Sequence, residues 1–226
     1  MATAKEMQAI LAQVLARYPD WRYARGWLFR LPLGYYLRGV AFKGSWSSRE
    51  AYQVERAVYP LFDFVPHVHI GWTMSYPIPG TTNHGWSVFH PRFTEALVEV
   101  MEREIIPCVG HIEKGSDFLR YLAENYTQHG WQDTGRALAY IHMGELTKAR
   151  ELLVTTAAQL QQPHFQRLIE PGTWGANLLE VLRLIEADPA AIPAHCEAVA
   201  RQSVKLNKLE KFWEPTPFVY ERAPTL

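Results

Sequence analysis

DFVPHVHIGWTMSYPIPGTTNHGWSVFH, residues Asp63–His90, is the stretch on which the fold turns. Within it Val68, Ile70, Trp72, Met74 and Tyr76 alternate with His67, His69, Gly71, Thr73 and Ser75. Successive side chains of a strand point to opposite faces, so the alternation predicts a half-buried strand over His67–Tyr76 with one apolar and one polar face. Pro77–Gly85 has the Pro, Gly, Thr and Asn content of a loop. Ahead of this stretch the periodicity is that of strands, and after His90-Pro91 it is that of helices.

On the N-terminal side, Thr3 and Glu6 have the spacing of a capping box. Met7, Ile10, Leu11, Val14, Leu15 and Tyr18 follow at helical spacing, and Pro19-Asp20 ends that helix. From Trp21 the period is two. Trp21, Tyr23, Trp27, Phe29 and Leu31 are expected on one strand face, opposite Arg22, Ala24, Leu28 and Arg30. Pro32-Leu33-Gly34 reads as a turn into a partner strand, Tyr35–Trp46, in which Gly39 and Gly44 mark a bulge or a close backbone approach. Ala51–Phe64 is read as a further strand from its Tyr, Val and Phe content.

On the C-terminal side, helices are expected over Phe93–Ile106, stopped near Pro107, and over Asp117–Tyr126, capped by Ser116. Others are expected over Thr134–Met143, capped by Asp133, and over Leu146–Leu160, Thr173–Ala187 and Ile192–Trp213. The last presents Ile192, Cys196, Val199, Ser203, Leu206 and Trp213 inward. GRALAYIHMG and GELTKARELL, meeting at Gly144, resemble the two helices of a tetratricopeptide unit. An array needs several copies to bury its faces, so this single copy reads as a helical hairpin. Glu214–Leu226, with Pro215, Pro217 and Pro224, is expected to run extended against the body.

Strands segregated from helices in this way define the α+β class. The expectation is one domain over residues 1–226, with helix and antiparallel strands over 1–90 packed against a predominantly helical region over 91–226. The formal net charge is zero, so no global field selects nucleic acid or an anionic membrane. That zero is divided unevenly. Residues 1–49 carry eight Lys or Arg against Glu6 and Asp20, a net +6, and the rest of the chain therefore carries −6. The division is either internal complementarity within one fold or a basic patch for an acidic partner. Cys108 and Cys196 lie in apolar helical patterns without CxxC spacing, which favours buried free thiols and a cytoplasmic protein. No run has the length of a membrane span and the N-terminus lacks a signal-peptide core.

His67 and His69, two apart on a strand, project from the same side. A catalytic metal site would need a third ligand, for which His84, His90, Asp63 and Glu55 are the candidates. The H-x-H spacing is shared with cupins, but no acidic residue follows within the next dozen positions. The competing reading is a polar strand face, solvated or hydrogen-bonded. Neither G-x-S-x-G, a phosphate-binding glycine loop nor G-x-G-x-x-G occurs, so covalent hydrolysis and nucleotide binding have no motif here. Trp21, Trp27 and Trp72 belong to apolar strand faces, whereas Trp46, Trp86 and Trp131 lie in polar or Gly-rich contexts where a ring can anchor an interface.

The capped first helix, the W-x-x-x-x-x-W of Trp21 and Trp27, the H-x-H-I-G-W of His67–Trp72 and the helical back half together resemble the small bacterial α+β immunity proteins that neutralise toxins. The resemblance implies a non-catalytic cytoplasmic protein without a cofactor, occluding a cognate toxin. The binding face expected for it comprises Arg38, Trp46, His67, His69, His84 and Trp86. The alternatives are a metal-dependent hydrolase or oxygenase using His67, His69 and His84, and a nucleic-acid-binding module using the basic front. The oligomeric state is open.

Overall fold

The computed structural model describes residues 2–44, 51–63, 72–126 and 131–225. They form two compact units, each assembled from separate segments of chain. The first comprises the described residues of Met1–Leu33, Leu37–Tyr59 and His69–His111; the second those of Gly34–Tyr36, Pro60–Val68 and Ile112–Leu226. The class is α+β, with an antiparallel sheet in the N-terminal half and mainly helices in the C-terminal half.

The first unit opens on α1 (Ala4–Ile10) and α2 (Ala12–Arg17), joined at Leu11. Thr3 and Glu6 make the capping box: the Glu6 N–H donates to Thr3 Oγ1 and the Thr3 N–H to Glu6 Oε2. Met7, Leu11 and Val14 are the buried stripe. Trp21–Leu31 is two strands, not one. β1 (Trp21–Ala24) and β2 (Trp27–Arg30) form a hairpin with Ala24 opposite Trp27. Arg25 and Gly26 between them have φ of 54° and 80°, the pair of positive angles that a two-residue type I′ turn requires. The hairpin changes the faces. Cross-strand partners share a face, so Trp21 and Tyr23 lie with Leu28 and Arg30, and Arg22 and Ala24 lie with Trp27 and Phe29. Trp27, Leu28 and Phe29 are all buried, so both faces of β2 are covered.

β3 (Tyr36–Gly44) and β4 (Ala51–Pro60) are interior strands of the order β1-β2-β3-β4-β5. Gly39 stands opposite Phe29, and a Cβ there would overlap the Leu28 carbonyl and lie 2.9 Å from Phe29 Cα. Only glycine admits that approach, as its place in the strand suggested. β5 (Trp72–Tyr76) pairs with β4 from Val58 to Val54, and β6 (Trp86–Ser87) pairs with β4 at Tyr52 and Ala51. Residues 64–71, including all of the expected strand before Trp72, lie outside the described residues, as do the side chains of Trp72 and Trp131. Met74, expected on the buried face of β5, is 38% exposed, while Tyr76 is buried.

α3 (Phe93–Val100) sets Phe93 against Phe42 of β3 and Trp86 of β6. The helix does not stop at Pro107. It widens to a π turn at Met101–Ile105 and resumes as α4 (Ile106–Val109). Proline has no N–H for the carbonyl one turn back, and a π turn is the local adjustment that lets the chain continue.

In the second unit, α5 (Gly115–Asn125), α6 (Trp131–Met143), α7 (Leu146–Leu160), α8 (Trp174–Ala187) and α9 (Ile192–Leu206) pack each on the next. α5 begins ahead of Ser116: Asp117 Oδ2 accepts the Glu113 and Lys114 N–H groups, and the Ser116 N–H is taken by Glu221 Oε1. α6 likewise starts at Trp131, ahead of the expected Asp133 cap. The Gly144 N–H donates to Ile141 O and the Glu145 N–H to Tyr140 O, the Schellman ending that turns α6 back into α7. A 3-10 segment, Pro163–Ile169, precedes α8, whose N-cap Thr173 accepts the Ala176 N–H. α9 ends at Leu206 rather than Trp213; Leu206 is 45% exposed, and Trp213 reaches the interior after a further 3-10 turn, Glu210–Phe212. Cys196 is buried, and burial pushes its thiol well up; Cys108 is only partly covered.

The tail runs extended along this unit, as its prolines suggested. The Tyr35 hydroxyl donates to Thr216 O, the Glu221 N–H to His142 O and the Thr225 N–H to Gly144 O. Phe218 is buried with its ring centroid 5.0 Å from those of Tyr35 and His142 and 5.3 Å from that of Phe62.

Candidate functional site

The residues named from sequence separate into three groups. Trp46, His67 and His69 lie outside the described residues. Arg38 and Trp86 are interior, 2% and 1% exposed, and are removed from any binding face. Arg38 is carried inward by its place in β3, an interior strand of the sheet. Trp86 is a sheet residue, not a loop residue: β6 pairs it with Tyr52, its indole N–H donates to Tyr76 O at 2.9 Å, and its ring meets Phe93 edge-on at 5.9 Å. Burying an indole is favourable when its N–H finds an acceptor, and Tyr76 O is that acceptor. Only His84 of the described candidates is exposed.

His84 belongs to a loop that is internally tied. Ile78 N–H donates to Asn83 O at 2.8 Å, closing the loop, and Thr81 N–H and Oγ1 both donate to Ile78 O. Thr81 Oγ1 accepts the Asn83 N–H, and Asn83 Oδ1 accepts the Gly85 N–H at 2.8 Å. His84 Nδ1 lies 3.0 Å from Ser75 Oγ on β5, which ties the loop to the sheet. Side chains that hydrogen-bond their own backbone two residues on give Thr and Asn their value in such turns. The loop is therefore held in one shape while Gly80, Thr81, Thr82, Asn83 and His84 stay exposed.

Beyond β6 the chain alternates once more. Trp86 and Val88 point inward, and Phe89 is 51% exposed, one of the few large apolar side chains left in water. A turn holds it there: the His90 N–H donates to Ser87 O, the Phe93 N–H to His90 O, and His90 Nδ1 accepts the Arg92 N–H. Phe89 was not among the residues singled out from sequence. Extending the period-two pattern from Trp86 would have placed it outward. Loop 77–85, with His84, and Phe89 are thus both exposed in the first unit, each held by its own hydrogen bonds.

No metal centre is found among the described residues: no group of three or more His, Cys, Asp or Glu is placed to hold an ion. Of the proposed third ligands, Glu55 is buried with Lys43 Nζ 4.0 Å away, Asp63 is buried, and His90 serves the turn before α3. The basic front is in part matched within the first unit, where Arg17 pairs with Glu102, Arg30 with Asp20 and Lys43 with Glu55. Arg30 also donates to the Gly110 carbonyl.

Among the described residues the one buried histidine is His142 on α6, with Nδ1 3.1 Å from the Tyr36 hydroxyl and rings of Tyr35, Tyr36, Phe62 and Phe218 around it. Burial lowers its pKa to about 4 and raises that of Tyr36 well above 10. Both groups are neutral near pH 7, and the pair is a hydrogen bond within a core. His195, also lowered by burial, is held by Asn177 Oδ1 at 2.9 Å from its Nε2. No described helix is long and apolar enough to cross a membrane. The chain matches no family model, no curated protein and no solved structure.

Proposed function

We propose that the protein is a non-catalytic binding module that engages a protein partner through loop 77–85, His84 and Phe89. The observation that carries this reading is the combination of a loop locked by its own hydrogen bonds with an exposed phenylalanine four residues after it in the chain. A surface already in its bound shape loses little conformational entropy on association, and an exposed ring supplies apolar area at the centre of a contact. On this reading the partner is a toxin that the protein occludes in the bacterial cytoplasm, the role implied by the resemblance to immunity proteins.

Photo-crosslinking from position 89 in the native host identifies what sits on this surface. The expected result is one dominant partner, whose expression alone is toxic and is neutralised by co-expression of this chain. Phe89→Ser combined with His84→Ala should abolish both the crosslinked complex and the protection while leaving the circular dichroism spectrum unchanged. Full protection by the doubly substituted chain would remove this surface from consideration. A single partner without toxicity would leave a binding module and refute the immunity role.

A further inference from the structure

The second unit contains a cavity of about 200 Å³ that the binding loop does not involve. α6 contributes Thr134, α7 contributes Thr156, Gln159 and Leu160, the 3-10 segment contributes Phe165 and Leu168, and α8 contributes Trp174. We propose that this cavity is a binding site for a small, uncharged aromatic compound, of one ring or two fused rings, bearing one hydrogen-bonding group.

The cavity arises from two residues at corresponding ends of a helical hairpin. On α7 the buried stripe runs Leu146, Ala149, Leu153, Thr156, Leu160, and on α6 the buried residues include Thr134, Ala137, Leu138 and Ile141. Because α6 and α7 turn back on each other at Gly144, the start of α6 and the end of α7 lie at the same end of the hairpin. At that end each helix carries a buried threonine. Two side chains shorter than leucine leave volume, and both line the cavity.

The chemistry of the lining restricts what fits. Leu160, Leu168, Phe165 and Trp174 supply apolar walls and two aromatic rings, suited to stacked or edge-on contact with a flat ligand. None of the seven described lining residues is ionisable, so a charged ligand would lose its hydration with no counter-charge among them. Thr134 is 4% exposed, and its hydroxyl has no hydrogen-bond partner among the described residues. The Thr156 hydroxyl donates to Leu152 O at 3.1 Å, which leaves its oxygen able to accept. A ligand group that bonds the Thr134 hydroxyl gives it a partner within the cavity. In size, an apolar cavity of about 150 Å³ is known to admit benzene, so this one takes a single ring or a compact bicyclic. Gln159 is exposed and stands at the mouth.

Titration of the full chain with indole and with phenol, followed by ligand-observed NMR and by thermal denaturation, tests this. Saturable binding with a rise in Tm is expected for at least one of the two. Indole-3-acetate, carrying a carboxylate, should bind at least tenfold more weakly than indole. Thr134→Val, which keeps the shape and removes the hydroxyl, should weaken binding about fivefold. Thr156→Leu, which fills the cavity, should abolish it; should that variant fail to fold, Thr134→Val decides alone. Absence of saturable binding by either probe, equal binding of the acetate, or unchanged affinity in Thr134→Val would each overturn the proposal.

Discussion

His142 shows what a single residue imposes on the whole. In the unfolded chain its imidazole takes a proton near pH 6.5, but in the aromatic core it does so only near pH 4. Between these values the unfolded state binds a proton that the folded state refuses, so stability rises with pH across that window. The contribution is complete above pH 6.5 and is lost as the pH falls to 4, amounting to about 3 kcal/mol at 1.36 kcal/mol per unit. Urea midpoints at pH 7.0 and 4.5 should differ more for the wild-type chain than for His142→Phe, whose titration at this site is gone. Equal differences would show that the ring is not kept neutral by burial. This environment was not legible in the sequence, because its rings come from Tyr35, Tyr36, Phe62 and Phe218, far apart along the chain. The Thr3–Glu6 cap was legible for the opposite reason: all of its atoms lie within four consecutive residues.

At the scale of elements, alternation identified strands well and turns poorly. A two-residue hairpin exchanges the faces of everything beyond it, and the only local mark of the one at Arg25-Gly26 is a single glycine. The helices after Phe93 were legible in type and order, but their ends moved where a carboxylate or a backbone group elsewhere supplied the cap, as Asp117 and Glu221 do for α5. Trp86 illustrates the same limit. Its Gly-rich neighbourhood suggests a surface ring, whereas pairing of β6 with β4 carries it inside. Trp86→Ala should therefore act as a core deletion, lowering unfolding free energy by about 3–5 kcal/mol. Chemical denaturation measures this directly; a change below 1 kcal/mol would return Trp86 to the surface. The substitution also removes the indole hydrogen bond to Tyr76, where the loop leaves β5, so amide exchange within 77–85 should quicken.

For the molecule as a whole, the α+β order of elements was readable because it depends on periodicity, which every segment carries by itself. The composition of the two units was not. Gly34–Tyr36 and Pro60–Asp63 belong with the C-terminal helices although they adjoin or end strands, an outcome that only tertiary contacts decide. Phe218 is the clearest test of that arrangement. It sits in the extended tail and fills the space beside Tyr35, Phe62 and His142. Phe218→Ala should cost about 3–5 kcal/mol, the amount typical of an emptied core position. Conserved m-value with a lowered midpoint is the expected signature, and an unchanged midpoint would mean that the tail is not part of the core.

The tail also sets an order of events during synthesis. α6 and α7 emerge from the ribosome well before residues 216–225, yet the backbone groups at their junction, His142 O and Gly144 O, accept from the N–H groups of Glu221 and Thr225. Until those residues are made, these carbonyls and the rings of Tyr35, Phe62 and His142 lack the cover that the tail gives them. Completion of the second unit is thus a late step, closed by a segment that has no regular structure of its own.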